Sequence, residues 1–181
     1  MNLSEPLSPL VKTLIPTEEI NAAVTALAQR LNNDYDHRPL TLIGVMTGSI
    51  VFMADLIRLL KMPLRVGVVQ ASSYRGGTSR TQLAINSAMM PDIEGREVLL
   101  VDDIFDTGHT LNEVVRLMHA LKPTSICTAV LLLKQGRQEV TLRPDYTAFE
   151  IPDEFVVGYG LDYRDEYRNL SHIATLEAHD L

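Results

Sequence analysis

The stretch Val98-Leu99-Leu100-Val101-Asp102-Asp103-Ile104-Phe105-Asp106-Thr107-Gly108-His109-Thr110-Leu111 constrains the fold more than any other part of the chain. Its apolar run reads as a strand buried on both faces, ending in two adjacent carboxylates. The turn of Asp106, Thr107, Gly108 and Thr110 then leads into a helix whose apolar face is Leu111, Val114, Val115, Met118 and Leu121. Backbone N–H groups at such a turn and helix start point outward with partial positive charge, which suits a phosphate. Gly108 permits close backbone approach, and Thr107 and Thr110 add hydroxyl donors. Three acids around an anion site then need a reason. Carboxylates accept hydrogen bonds from a sugar diol, so Asp102 and Asp103 suit a ribose whose 5-phosphate sits in the turn.

Hydrophobic residues, two acids, two hydrophobics and then Asp-Thr-Gly-x-Thr resemble the phosphoribosyl-pyrophosphate signature of the type I phosphoribosyltransferases. The ordered length of the pattern makes it far more specific than a lone Gly-rich loop. The competing interpretation is another Rossmann-like strand–turn–helix, such as a receiver domain with an acidic strand end.

The remaining chain alternates in the manner this resemblance implies. Glu18 to Leu31 places Ile20, Val24, Leu27 and Leu31 at helical spacing, with Glu18 and Glu19 in the first turn. Leu40 to Met46 and Arg65 to Ala71 read as strands around the mostly apolar helix Ser49 to Leu60. Val98 to Val101 and Ile126 to Leu132 bracket the helix after the signature. The expected fold is α/β: a mainly parallel twisted sheet flanked by helices, the type I phosphoribosyltransferase fold, with a small hood from the terminal segments. Ligands in such sheets collect at the carboxyl ends of strands, where the unusual residues fall. The 181 residues are expected to form one domain, with residues 1–16, which hold Pro6, Pro9 and Pro16, as an irregular N-terminal arm.

Composition bounds the function. A net charge of −7 disfavours a general nucleic-acid binder, which needs a basic footprint. No apolar stretch is long enough to span a bilayer, so no membrane partner is expected. The N-terminus lacks a basic-then-apolar signal pattern. The single cysteine, Cys127, lies in an apolar run and is expected to be buried and inert; one thiol cannot close an internal disulfide, which fits a cytoplasmic location. The five histidines show no metal-ligand spacing, and no Ser or Cys sits in a nucleophile elbow.

Other segments resemble the hypoxanthine-guanine branch of the family. Met46-Thr47-Gly48-Ser49 looks like its pyrophosphate loop, which can adopt a non-proline cis peptide; read without the resemblance, it is an ordinary strand-to-helix turn with Ser49 as N-cap. Members usually carry Lys or Arg where this chain has Thr47, so here the backbone at Thr47 and Gly48 is left to meet pyrophosphate. Ser73-Tyr74 matches the family's Ser-Tyr pair in a loop, running here to about Asn86, that closes over the reacting centre and excludes water. Lys134 matches the lysine that donates to purine O6. A lysine donates and never accepts, so it favours a 6-oxopurine over adenine.

Ile151-Pro152-Asp153-Glu154-Phe155-Val156-Val157-Gly158-Tyr159-Gly160-Leu161-Asp162-Tyr163 resembles bacterial members throughout. By that resemblance Phe155 stacks on the base, the Val156 backbone meets its Watson–Crick edge, Asp162 reaches Mg2+, and Arg168 touches pyrophosphate. Asp106 is implied as general base at N7, and Asp106, Thr107, Gly108, His109 and Thr110 as the phosphate site; His109 fills a variable slot. The implied activity is purine salvage: IMP or GMP from hypoxanthine or guanine and 5-phosphoribosyl 1-pyrophosphate, through an oxocarbenium-like transition state. A homodimer or homotetramer is implied too, the Ser49 to Leu60 helix serving either a subunit interface or the monomer core. The resemblance covers roughly Thr17 to Ile173. Rivals are an enzyme of the same group acting on xanthine, adenine or a pyrimidine, and a regulator that keeps the fold but binds RNA or DNA.

Overall fold

The computed structural model describes residues 11–74 and 82–176. In chain order the elements are β1 (Val11–Ile15), α1 (Thr17–Tyr35), β2 (Leu40–Met46), α2 (Ile50–Ile57), β3 (Leu64–Tyr74), β4 (Gln82–Asn86), β5 (Glu97–Phe105), α3 (His109–His119), β6 (Ser125–Lys134), β7 (Tyr146–Ile151), β8 (Val156–Val157) and β9 (Ile173–Leu176). Six strands form one sheet in the order β4-β3-β2-β5-β6-β7. All its pairings are parallel except β3 with β4. A second sheet, β1-β9-β8, is antiparallel and forms the hood.

Strand alternation builds two apolar layers, one on each face of the large sheet. Leu42, Leu99, Val101 and Leu131 face α1 and α2, where they meet Ile20, Leu27, Leu31, Phe52 and Leu56. Ile43, Leu100 and Val130 belong to the opposite layer with Leu111, Val114 and Met118 of α3. Each such fully buried side chain contributes roughly 1.5–3 kcal/mol of hydrophobic stabilisation. This double burial fixes β2 and β5 side by side and brings their carboxyl ends to one edge.

Several boundaries differ from the sequence reading. The arm read as irregular through residue 16 contains β1, which becomes a strand because Val11 pairs with Leu176 and Ile15 with Ile173. The loop read as running to Asn86 ends in β4, which pairs antiparallel with an extended β3. The signature strand does not stop at Val101. It carries Asp102 through Phe105 because these residues still pair with Val130 to Leu133 of β6. Helix α2 is shorter than Ser49 to Leu60, and Leu121 lies beyond α3 and is exposed. Cys127 is half-buried rather than buried.

Candidate active site

The signature forms a strand, a tight turn and a helix in succession. Gly108 has φ 87°, and a Cβ there would lie 2.5 Å from the Phe105 ring and 2.6 Å from Val140. A side chain is thus excluded twice, by backbone angle and by space. The Asn112 N–H donates to the Gly108 carbonyl at 3.0 Å, the first helical bond of α3. The N–H groups of the preceding turn therefore carry no intrahelical partner, and Thr107, Gly108 and Thr110 line the cavity.

Asp102 and Asp103 fold back onto their own strand. Asp102 Oδ1 accepts the Asp103 N–H at 3.0 Å, and Asp103 Oδ1 accepts the Ile104 N–H at 2.9 Å. Burial, and then the adjacent Asp103 carboxyl, push Asp102 well above the usual carboxylate range. Burial raises Asp103 as well, opposed by its hydrogen bonds and by Arg168.

The second loop comes from the end of β2. Its Met46–Thr47 peptide is cis. A Cβ on Gly48 would overlap the Asp103 carboxylate, so glycine is what allows the loop and the acid to share that space. Ser49 is no side-chain cap for α2; its hydroxyl donates to the Val45 carbonyl at 2.6 Å. The hood segment seats itself on this loop: a Cβ on Gly160 would run into the Gly48 carbonyl, and Tyr159 Oη donates to Asp55 Oδ2 of α2 at 2.6 Å. Asp162 is thereby carried to the strand edge. Arg168 Nη2 lies 2.8 Å from Asp162 Oδ1, and Nη1 donates to the Gly160 carbonyl at 2.8 Å.

These pieces enclose a cavity of about 300 Å³ lined by Thr47, Gly48, Asp102, Asp103, Asp106, Thr107, Gly108, Thr110, Asp162 and Arg168. Val45, Met46, Ala71, Ile104, Phe105 and Leu111 complete the wall. The His109 side chain is not on it: its Nε2 lies 2.8 Å from Glu139 Oε2 at the surface, so only its backbone belongs to the turn. Ser73 and Tyr74 end β3, and their side chains, with the loop residues Arg75 to Thr81, lie outside the described residues.

Asp106 connects this cavity to a second cluster. Its Oδ2 is 3.6 Å from Lys134 Nζ and its Oδ1 accepts from Arg137 Nε at 3.0 Å. Asp153 Oδ1 closes the square, 3.3 Å from Lys134 Nζ and 3.5 Å from Arg137 Nε. Lys134 is buried at the end of β6, whereas Phe155 is 40% exposed and stands edge-on to Tyr163, ring centres 5.6 Å apart. Val156 is buried in β8. Arg137 escaped the sequence reading because a single arginine in a polar loop has neither periodicity nor a motif to mark it. Asp153 lay inside the matched hood segment but had no partner visible in the chain.

Comparison with known proteins agrees with this fold. The model of the phosphoribosyl transferase domain family matches residues 11–164. The chain is similar to a hypoxanthine-guanine phosphoribosyltransferase of Staphylococcus epidermidis, 40% identical over 170 residues that span 93% of this chain and 95% of the relative. Among solved structures, a hypoxanthine phosphoribosyltransferase from Staphylococcus aureus superposes with a TM-score of 0.91 at 36% identity, covering 98% of each chain. One from Trypanosoma cruzi superposes with a TM-score of 0.89 at 36% identity, covering 97% of this chain and 96% of its own.

Proposed function

This chain belongs to the phosphoribosyltransferase family, and we propose that it transfers the 5-phosphoribosyl group of phosphoribosyl pyrophosphate to hypoxanthine or guanine, giving IMP or GMP and pyrophosphate. The observation that carries the proposal is the double position of Asp106. It lines the cavity beside the phosphate turn and also lies 3.6 Å from Lys134 Nζ, so one carboxylate reaches both a sugar site and a base site.

In this reading the 5-phosphate takes the N–H groups and hydroxyls from Thr107 to Thr110, and the ribose hydroxyls bond to Asp102 and Asp103. The backbone at Thr47 and Gly48, with Arg168, meets pyrophosphate. The purine lies against Phe155, with Lys134 donating to O6 and the Val156 backbone at its Watson–Crick edge. The bond from C1′ to pyrophosphate breaks as the bond from C1′ to N9 forms. The proton on N7 passes to Asp106, which acts as general base. Positive charge on the ring is met by the nearby carboxyls and not by a covalent intermediate. The Ser73–Tyr74 segment is the proposed cover over this centre.

The site also fits magnesium. Asp162 offers a single half-buried carboxylate beside the cavity, and among the described residues no group of three or more His, Cys, Asp or Glu is placed to cage a metal. Such a donor set suits an ion held mainly by substrate oxygens and water. When bound, Mg2+ offsets the charge that grows on departing pyrophosphate.

Among the described residues no helix is long and apolar enough to cross a membrane. A homodimer or homotetramer is proposed, using the exposed Ile50 and Leu59 around α2; light scattering of the purified chain tests it. The lone Cys127 fits the reducing conditions of the cytoplasm.

The activity is tested by supplying phosphoribosyl pyrophosphate and Mg2+ with hypoxanthine, guanine, xanthine, adenine and uracil in turn. Hypoxanthine and guanine should give monophosphates, with adenine and uracil left unreacted. Preference for adenine or uracil, or no product from any base, would overturn the proposal.

A further inference from the structure

Arg137 is a charged group beside the cavity to which neither the sugar site nor the base contacts give a task. Arg137 lies in the polar loop after β6, where Lys134, Gln135, Gly136 and Arg137 follow in sequence. That loop is strapped to the phosphate turn. The Glu139 N–H donates to the Thr107 carbonyl at 3.0 Å, Glu139 pairs with His109 at 2.8 Å, and Val140 packs under Gly108. The Gln135 N–H donates to the Ile151 carbonyl at 2.9 Å, which ties its other end to β7. Arg137 is thus carried by a segment anchored on both sides.

Its contacts are with two acids from separate elements. Arg137 Nε lies 3.0 Å from Asp106 Oδ1 and 3.5 Å from Asp153 Oδ1. The hydrogen bond that Arg137 donates to Asp106 raises the affinity of the guanidinium for its proton, so it stays a cation. Lys134 Nζ contacts the same two carboxylates, at 3.6 and 3.3 Å. The cations differ in their freedom to serve. Lys134 must turn to a purine oxo group if it is to recognise the base, and it then loosens its hold on both acids. Arg137 is assigned no such second duty, and its Nε–H holds the carboxylate by a charge-assisted hydrogen bond.

We propose that Arg137 is the positioning residue of the proton-accepting carboxylate. It fixes the Asp106 carboxylate by one oxygen, leaving the other free for the purine, and uses Asp153 as its own anchor when Lys134 is drawn to the base. This rests on the reading of Asp106 as general base. It predicts a defect in the chemical step rather than in gripping the sugar phosphate, because among the described residues the contacts of Arg137 are with Asp106 and Asp153 and not with the ribose acids or the pyrophosphate loop. Small displacements of a catalytic group carry large rate penalties.

The test combines R137Q, D153N, D106N and the double variant R137Q/D106N, assayed in single turnover with the purine and phosphoribosyl pyrophosphate. The Arg137 side chain is 45% exposed, and thermal melts check that each variant folds. R137Q is expected to slow the chemical step by about tenfold. Half-saturation by phosphoribosyl pyrophosphate should stay within about twofold, since ground-state grip on that substrate is untouched. D153N, which removes the anchor of Arg137 and one partner of Lys134 but leaves the Arg137–Asp106 contact in place, should give a smaller loss in the same parameter. In a D106N background, adding R137Q should change the rate by less than about twofold, because residues acting as one unit are non-additive. An R137Q rate equal to that of the wild type, or losses that multiply independently in R137Q/D106N, would overturn the proposal alone. A folded wild-type chain that transfers to no base would overturn the underlying reading, and this proposal with it.

Discussion

Asp102 and Asp106 lie four residues apart on one strand and its turn, yet their surroundings are opposite. Asp102 is buried at 6% exposure beside another acid, and among the described residues it has no ion-pair partner. Asp106 is more exposed and meets two cations, Lys134 and Arg137. The difference follows from where each side chain emerges. Asp102 is still paired with β6 inside the sheet, whereas Asp106 leaves it at the turn and looks toward the loops after β6 and β7. One segment thus carries an acid pair without a cation beside Asp102 and an acid matched by two cations, the former proposed for the sugar and the latter for the base. Ribose hydroxyls need acceptors and donors at fixed places, while proton transfer needs a carboxylate held in place.

The contrast breaks most sharply at Asp106. Asp106→Asn should lower turnover by about 10²-fold or more while leaving phosphoribosyl-pyrophosphate binding within a few fold, as single-turnover rates and substrate titration would show. Equal loss of binding with little loss of turnover would place Asp106 with the sugar acids instead. Gly48→Ala probes the other end. Its new methyl would overlap the Asp103 carboxylate, so phosphoribosyl-pyrophosphate affinity should fall by about tenfold through displacement of the acid. Unchanged affinity would show that the loop yields and the acid need not stay where it is.

The smallest effect is one of stability. Asp102 holds its proton above its ordinary value of 3.8 in the folded state. The native chain therefore binds more protons than the unfolded chain as pH rises from near 3.8, and stability falls until the folded carboxyl has ionised. Asp102→Asn removes that cost while its amide oxygen can still accept the Asp103 N–H. Melting temperature should rise at neutral pH, by roughly 2–4 °C for each kcal/mol recovered in a domain of this size. The gain should shrink to nothing as pH approaches 3.8. A gain that grows on acidification would contradict the assigned direction.

What was legible in the chain followed from how local each feature is. The acid pair, the turn and the start of α3 are consecutive residues, so their order alone fixed their arrangement. The two-faced burial of β5 also showed in its unbroken apolar run. By contrast, β1 is a strand only through β9, with Val11 opposite Leu176, and no local pattern records a partner so distant. Similarly, Gln82–Asn86 becomes β4 only because β3 extends to Tyr74 beside it. The proposed sugar site could be read because one segment supplies most of it. The proposed base site drew on Lys134 and the hood segment, and Arg137 was not read at all, since the charge square joins the turn after β5, the loop after β6 and the loop after β7.

The central claim is that the turn after β5 grips the sugar phosphate while the two acids before it hold the ribose. A crystal structure of the protein with IMP tests it most directly. The phosphate should sit on the backbone N–H groups between Thr107 and Thr110, with the ribose hydroxyls on Asp102 and Asp103 and the base between Lys134 and Asp106. A monophosphate lodged away from that turn, or a ribose facing away from the acid pair, would contradict the account.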